Sequence, residues 1–297
     1  MSYVDKYHVN ELTPICNIGG MYFKRDDLYM PFDDIPLSGG KVRQCISLIG
    51  KNLDYIQNEC NSHVVTASSI SSPQGIITTR VAKDFGLDST VFVGATNENS
   101  LKRHILMNNI INQGGKINYE SKMAYDSVLS YNIKQKIEHG EKMFHIKFGL
   151  NLEWDSESIL DSIGNQVQNL PKNLDYLIVP CGSCIIFSGI IKGLKKYEIY
   201  PKHIVGIQIS GYDRTSFIEK ILGETHLDYE FLISKDYPYS KHIKHTVGSG
   251  EGRIQLDWLY EGKAFDYVIK YMKDDIRGKK CCFWLVGNST PVRTHVY

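Results

Sequence analysis

Net charge is nearly absent from this 297-residue sequence, in which 34 lysines and arginines face 33 aspartates and glutamates. A formal charge of +1 sets up no global field for a polyanion or an anionic membrane, so a nucleic-acid contact would need a local basic patch. Long apolar runs are missing as well. The longest, at 176–179 and 281–286, are strand-sized, and no membrane-spanning helix is expected. Residues 1–10 carry Asp5, Lys6 and His8 where a signal peptide would have an apolar core. There is no HExxH, and the single CxxC, Cys181 with Cys184, has no second pair to complete a zinc tetrahedron, so no metal is expected. Seven cysteines is an odd number, which argues for reduced thiols in a cytoplasm rather than a disulfide framework. Neither an internal repeat nor a low-complexity tract occurs.

What is present is a globular composition, with 42% hydrophobic and 23% charged residues, which excludes dominant disorder and is enough chain for one or two domains. Short apolar runs alternate with helix-like segments. Residues 63–67, 90–94 and 116–119 read as strands, with helices near 74–85 and 101–111 between them, a βαβαβ unit that implies a parallel sheet. The alternation resumes beyond Phe148, through a helical face of Ile159, Ile163, Val167 and Leu170. Strands at 176–179, 204–209 and 281–286 and helices at 185–197 and 215–222 follow. The fold class is therefore α/β, with parallel-rich twisted sheets flanked by helices. A small domain over 47–147 is expected to interrupt a large one made of 1–46 and 148–297, with a cleft between them. Residues 228–256 show no clear period and read as a long loop.

Four segments carry candidate chemistry. In Ser38-Gly39-Gly40-Lys41 a glycine turn precedes a helical run and leaves room for a flat ligand beside the lysine. Residues 180–186 form a strand-to-helix junction containing Gly182, Ser183, Cys184, Ile185 and Ile186. Orphan N–H groups and the helix dipole converge there, which suits a phosphate; the plain alternatives are an ordinary connection or a redox CxxC whose thiol pKa the dipole depresses. The run Ser68-Ser69-Ile70-Ser71-Ser72-Pro73-Gln74 sets hydroxyls at another helix start, suited to a carboxylate or to simple capping. Finally, Tyr260 and Glu261 stand together before a helix carrying Ala264, Phe265 and Val268. Separately, none of the four names a function.

Together and in order, these segments resemble the fold-type-II pyridoxal-phosphate (PLP) enzymes of the tryptophan-synthase β family, in the branch of 1-aminocyclopropane-1-carboxylate deaminase and D-cysteine desulfhydrase. Lys24-Arg25-Asp26-Asp27-Leu28 is similar to the family's opening KR(D/E)DL, SGGKVR at 38–43 to its GGNK(V/T)R, 181–194 to its TGSGGT-type phosphate loop and helix, and YEGKA at 260–264 to the deaminase YEGK. The similarity spans about 23–291. It implies PLP as cofactor, Lys41 as the Schiff-base lysine, and Gly182, Ser183, Cys184, Ile185 and Ile186 around the 5′-phosphate. It further implies Glu261 at the ring nitrogen, Tyr260 and Ser72 as catalytic groups, and Ser69, Ser71, Ser72 and Gln74 at the substrate carboxylate. The activity implied is that of a lyase or deaminase breaking a bond to Cα of a small amino acid, in a homodimer.

The chain departs from the pattern at Gly40, which replaces asparagine, at Cys184-Ile185-Ile186, which replace Gly-Gly-Thr, and at Pro73, which replaces the deaminase asparagine. Other readings are a CxxC redox protein and a binding protein that has kept the fold and lost the chemistry. The bias toward Lys, Asn, Ile and Tyr resembles AT-rich phage genomes, and some phage PLP enzymes of this kind serve DNA-base hypermodification. On that reading the substrate is an amino acid attached to thymine in DNA, decarboxylated or cleaved at Cα. Lys235, Lys241, Lys244, His242 and His245 would then be candidate phosphate contacts.

Overall fold

The computed structural model describes residues 2–95, 99, 101, 104–121, 126–151, 157–209, 213–223, 227–238 and 241–287. They divide into two compact units, one of Met1–Val9 with Lys41–Ile159 and one of Asn10–Gly40 with Leu160–Tyr297.

In the first unit, helix α1 (Tyr3–Lys6) precedes, in chain order, α2 (Gly40–Lys51) and α3 (Leu53–Glu59). Strands β3 (His63–Ser69), β4 (Asp88–Ala95), β5 (Lys116–Ser121) and β6 (Phe144–Ile146) form one parallel sheet in the order β5-β4-β3-β6. Helices α4 (Gln74–Asp84), α5 (Ile105–Asn112) and α6 (Asp126–Glu138) connect them. These bounds are wider than 47–147, for physical reasons. Helix α2 joins this unit from its second residue, Lys41, onward, so the boundary falls at the helix start rather than at residue 46. The turn after β6 is tied down by Gln44 of α2, whose Nε2 donates to the Gly149 and Leu150 carbonyls. The amino-terminal segment is held by Tyr7, whose hydroxyl donates to Asp84 of α4.

The second unit is built on the sheet β1-β2-β12-β7-β8-β9, comprising β1 (Ile15–Ile18), β2 (Met21–Arg25), β7 (Tyr176–Cys181), β8 (His203–Gln208), β9 (Glu230–Ile233) and β12 (Cys281–Leu285). Every pair is parallel except β1 with β2. Helices α7 (Glu157–Gly164), α8 (Ile185–Lys196), α9 (Thr215–Leu222) and α10 (Glu261–Tyr271) complete it. Strand side chains alternate between two cores. Leu177, Val179, Cys282 and Trp284 pack with Ile163, Phe187 and Ile190 on one face, whereas Ile178, Val205, Ile207 and Phe283 pack with Ala264 and Val268 on the other. Burial on both faces explains why these strands read as unbroken apolar runs. Cys281 and Cys282 are core residues, as their setting implies.

The segment 228–256 is not one loop. It contains β9 and an antiparallel ribbon of β10 (Thr246–Val247) and β11 (Ile254–Gln255). Strand β9 escapes detection because its outer position leaves it mixed, with no fully buried residue. Among the described residues no helix is long and apolar enough to cross a membrane.

Candidate active site

Each parallel sheet reverses its strand order once, and a crevice for ligands opens outside the carboxyl ends of the strands at such a switch point. In the first unit the switch lies between β3 and β6, where the serine run follows β3 and residues 147–150 follow β6. In the second it lies between β7 and β12, followed by Gly182 and by Val286-Gly287 respectively.

The glycine turn belongs to the second unit. Gly39 has φ +91°, and a Cβ there would stand 2.2 Å from the Val286 carbonyl oxygen, so both conformation and close approach require glycine. Gly39 donates its N–H to the Tyr29 carbonyl (3.0 Å) and Gly40 to that of Val286 (3.2 Å). A Cβ on Gly40 would lie 2.9 Å from Asp26 Oδ2 and 3.3 Å from Ile186 Cδ1, so a larger residue would have to displace the Asp26 carboxylate. Lys41 is the next residue, half-buried in the first turn of α2.

Within the Lys24-Arg25-Asp26-Asp27 segment the roles are structural. Lys24 is fully buried and donates to the Thr13 carbonyl (2.8 Å) and to Asn169 Oδ1 (2.7 Å). Arg25 grips Asp27 with two N–H groups, at 2.9 and 3.0 Å.

Glu261, wholly buried at the start of α10, is held at both oxygens. Oε2 accepts from the Asp257 N–H (2.8 Å) and Oε1 from the Gly287 N–H (3.0 Å). Asp257 in turn accepts from the Leu259 and Tyr260 N–H groups, which closes the turn leading into the helix. The Tyr260 ring lies against Gly182, where a Cβ would come within 2.6 Å of it. Lys263 is buried in the same helix and donates to the Pro238 carbonyl (2.9 Å); desolvation pulls its ammonium down to about 8.

At the junction after β7, Ser183 and Ile186 are buried and Cys184 caps α8 in the left-handed region at φ +68°. A β-carbon in that region costs about 1–2 kcal/mol. The Cys184 thiol donates to Gln208 Oε1 (3.1 Å), and Gln208 Nε2 donates to the Gly182 carbonyl (3.1 Å). Gln208 was not anticipated from sequence. Its one signal is a polar residue inside the apolar run 204–209. Cys181 is buried and desolvation raises its thiol pKa well above the ordinary range, the opposite direction from the depressed thiol that the redox reading of the CxxC expects.

The first unit holds the serine run. Ser72 Oγ accepts from the Gln74 N–H (3.3 Å), which ties the serine run to the first residue of α4. Gln74, expected at the substrate carboxylate, is instead spent within the unit: Nε2 donates to Thr66 Oγ1 (2.8 Å) and the Lys147 carbonyl (3.0 Å), and Oε1 accepts from the Gly149 N–H (2.9 Å). Both N–H groups of this fully buried amide are used inside the unit, which leaves no donor for a substrate carboxylate. The half-buried hydroxyls of Ser69 and Ser71 make no side-chain hydrogen bond among the described residues.

A family model described as pyridoxal-phosphate dependent enzyme matches residues 7–222. The O-seryl-dTMP PLP-dependent decarboxylase of Salmonella phage ViI is 24% identical, over 90% of this chain and 78% of that protein. Among solved structures, an ACC deaminase homologue superposes with TM-score 0.73 at 21% identity, over 96% of this chain and 94% of that one. Threonine deaminase isoform 2 of Solanum lycopersicum gives TM-score 0.64 at 13% identity, over 97% and 88%. Serine racemase of Dictyostelium discoideum gives 0.61 at 16%, over 98% of each chain. These structural likenesses establish the fold.

The donor set fits such a cofactor. The first turn of a helix has N–H groups without intrahelical acceptors, which suits a phosphate, and a buried carboxylate with a fixed orientation suits a ring N–H.

Two measurements test this geometry. In Glu261→Gln only one amide atom can accept, so either the Asp257 or the Gly287 N–H faces an NH2 group. The apoprotein should lose about 1–3 kcal/mol, read as a lower urea midpoint at unchanged slope; an unchanged midpoint would contradict the double clamp. Iodoacetamide at about pH 8 should leave Cys181 unmodified in the native protein and label it after denaturation, because thiolate character sets alkylation.

Proposed function

Because the chain belongs to the pyridoxal-phosphate-dependent enzymes, we propose that it acts at Cα of an amino-acid substrate, as a lyase or deaminase, with Lys41 as the amine that holds the cofactor. When bound, PLP supplies the sink for the electron pair released as a bond to Cα breaks. The observation that carries the reading is the chain of contacts around the end of β12. The Gly287 N–H binds Glu261, and the neighbouring Val286 carbonyl takes the Gly40 N–H, one residue before Lys41.

On this reading each residue has a task. Glu261 accepts the ring N–H in a charge-assisted hydrogen bond and so holds a proton on the ring nitrogen. The backbone of 182–186 and the Ser183 hydroxyl take the 5′-phosphate, with Ile185 and Ile186 contributing N–H groups at the positive end of α8. Lys41 moves a proton at Cα as general base or acid. Tyr260, whose ring lies against Gly182, holds or delivers a proton at the substrate side. Ser69 and Ser71 receive the substrate carboxylate, while Ser72 shapes that loop by accepting from the Gln74 N–H.

A second reading concerns the substrate. The similarity to the phage O-seryl-dTMP decarboxylase over 90% of this chain supports an amino acid carried on a thymine nucleotide, with the Cα–carboxylate bond as the one broken. Mass detection of products from free amino acids and from seryl-modified thymidylate separates the two. Loss of carbon dioxide from the nucleotide selects the second reading, and ammonia with an oxoacid selects the first.

Protein loaded with PLP should absorb at the violet edge of the visible spectrum and retain the cofactor covalently after borohydride reduction. Lys41→Ala should retain none at that site and lose turnover. An apoprotein that takes up no PLP would overturn the proposal. Glu261→Gln should still bind the cofactor yet turn over about 10²-fold more slowly, by the usual size of such electrostatic contributions.

A further inference from the structure

The phosphate loop of this chain lacks two glycines and a threonine expected from the resemblance, and it contains a non-glycine residue in the left-handed region, Cys184 at φ +68°. Something must hold it there. Gln208 ends β8 directly opposite Cys181 in the parallel register, is fully buried, and spans the loop with its amide. Its Nε2 donates to the Gly182 carbonyl and its Oε1 accepts from the Cys184 thiol, each at 3.1 Å. A trans peptide points its C=O and N–H in opposite directions. Fixing the Gly182 carbonyl toward Gln208 therefore turns the Ser183 N–H away from it, and fixing Cys184 sets the entry into α8. The Ser188 hydroxyl, donating to the Cys184 carbonyl at 3.0 Å, secures the same residue from the helix side.

We propose that Gln208 is a positioning residue which, through Cys184 and the Gly182 carbonyl, holds the loop at 182–186 in its phosphate-binding shape. The inference rests on the reading that this loop takes the 5′-phosphate. Gln208 acts through the loop, its amide bonding the Gly182 carbonyl and the Cys184 thiol. Its contribution is preorganisation: the loop's N–H groups converge before the ligand arrives, so less ordering cost is charged against binding.

The test compares the affinity of the apoprotein for PLP and for pyridoxal, which lacks the phosphate, together with the phosphorus NMR shift of bound PLP. Gln208→Leu should weaken PLP by about tenfold or more, the scale of one or two lost hydrogen bonds, shift the phosphorus resonance, and leave pyridoxal affinity unchanged. Cys184→Ala should weaken PLP in the same way, whereas Cys184→Gly, which adopts positive φ without a β-carbon, should bind close to wild type. The double variant Gln208→Leu with Cys184→Gly should regain most of the lost affinity. Wild-type PLP affinity in Gln208→Leu overturns the proposal, and so does equal loss of PLP and pyridoxal. Should Gln208→Leu fail to fold, the Cys184→Ala and Cys184→Gly pair decides, and identical PLP affinities in the two overturn it. Gly182→Asp tells the two levels apart: if it loses PLP while Gln208→Leu does not, only the clamp falls, and if it too binds normally, the loop assignment falls and takes the clamp with it.

Discussion

The buried carboxylate of Glu261 is the constraint on which the second unit's site depends. A carboxyl group fully removed from water is costly unless its lone pairs are bonded, and here the bonds come from two places far apart in sequence, the Asp257 N–H before α10 and the Gly287 N–H after β12. The carboxylate thus joins a helix start to a strand end. Gly287 follows Val286, whose carbonyl receives the Gly40 N–H and rests on the face of Gly39 that has no side chain. The backbone entering Lys41 is consequently set by the same strand end that holds the glutamate. Moving any one of these groups by a methyl group's width would disturb the others.

Both units use one geometric device. A parallel sheet covered by helices buries its strand middles and leaves loops as the places where polar chemistry is displayed. At the point where strand order reverses, two such loops diverge and leave room for a ligand. The serine run and the glycine-serine junction occupy equivalent places in two separate sheets. Buried glutamines serve as local braces in both. Gln44 and Gln74 fasten the turn after β6, and Gln208 fastens the turn after β7.

The departures from the family pattern take on physical meaning in this setting. Gly40 sits against the Asp26 carboxylate and Ile186, so the absence of a side chain there goes with a crowded neighbourhood. Cys184 adopts a glycine-like conformation and offsets its strain with a hydrogen bond that glycine could not make.

Much of this was legible in the sequence alone. Strands buried on both faces read as apolar runs, helices showed their periodic face, and the alternation of the two implied parallel sheets. Lys41, Glu261 and the junction at 182–186 were singled out by the order in which four segments resemble the pyridoxal-phosphate enzymes, since a glycine turn or a helix start alone names no function. What remained hidden were the short or outlying elements, such as the three residues of β6, the mixed face of β9 and the two-residue strands of the ribbon, whose stability comes from neighbours rather than from pattern. Hidden too were the assignments of buried polar residues. Nothing local distinguishes Gln74, bonded across 75 residues to the Gly149 N–H, from a glutamine awaiting a substrate, or reveals that Lys24 is satisfied by Asn169 across 145. A hydrogen-bonding side chain buried by the fold takes whichever partner the tertiary structure brings within about 3 Å, and sequence spacing carries no record of that distance.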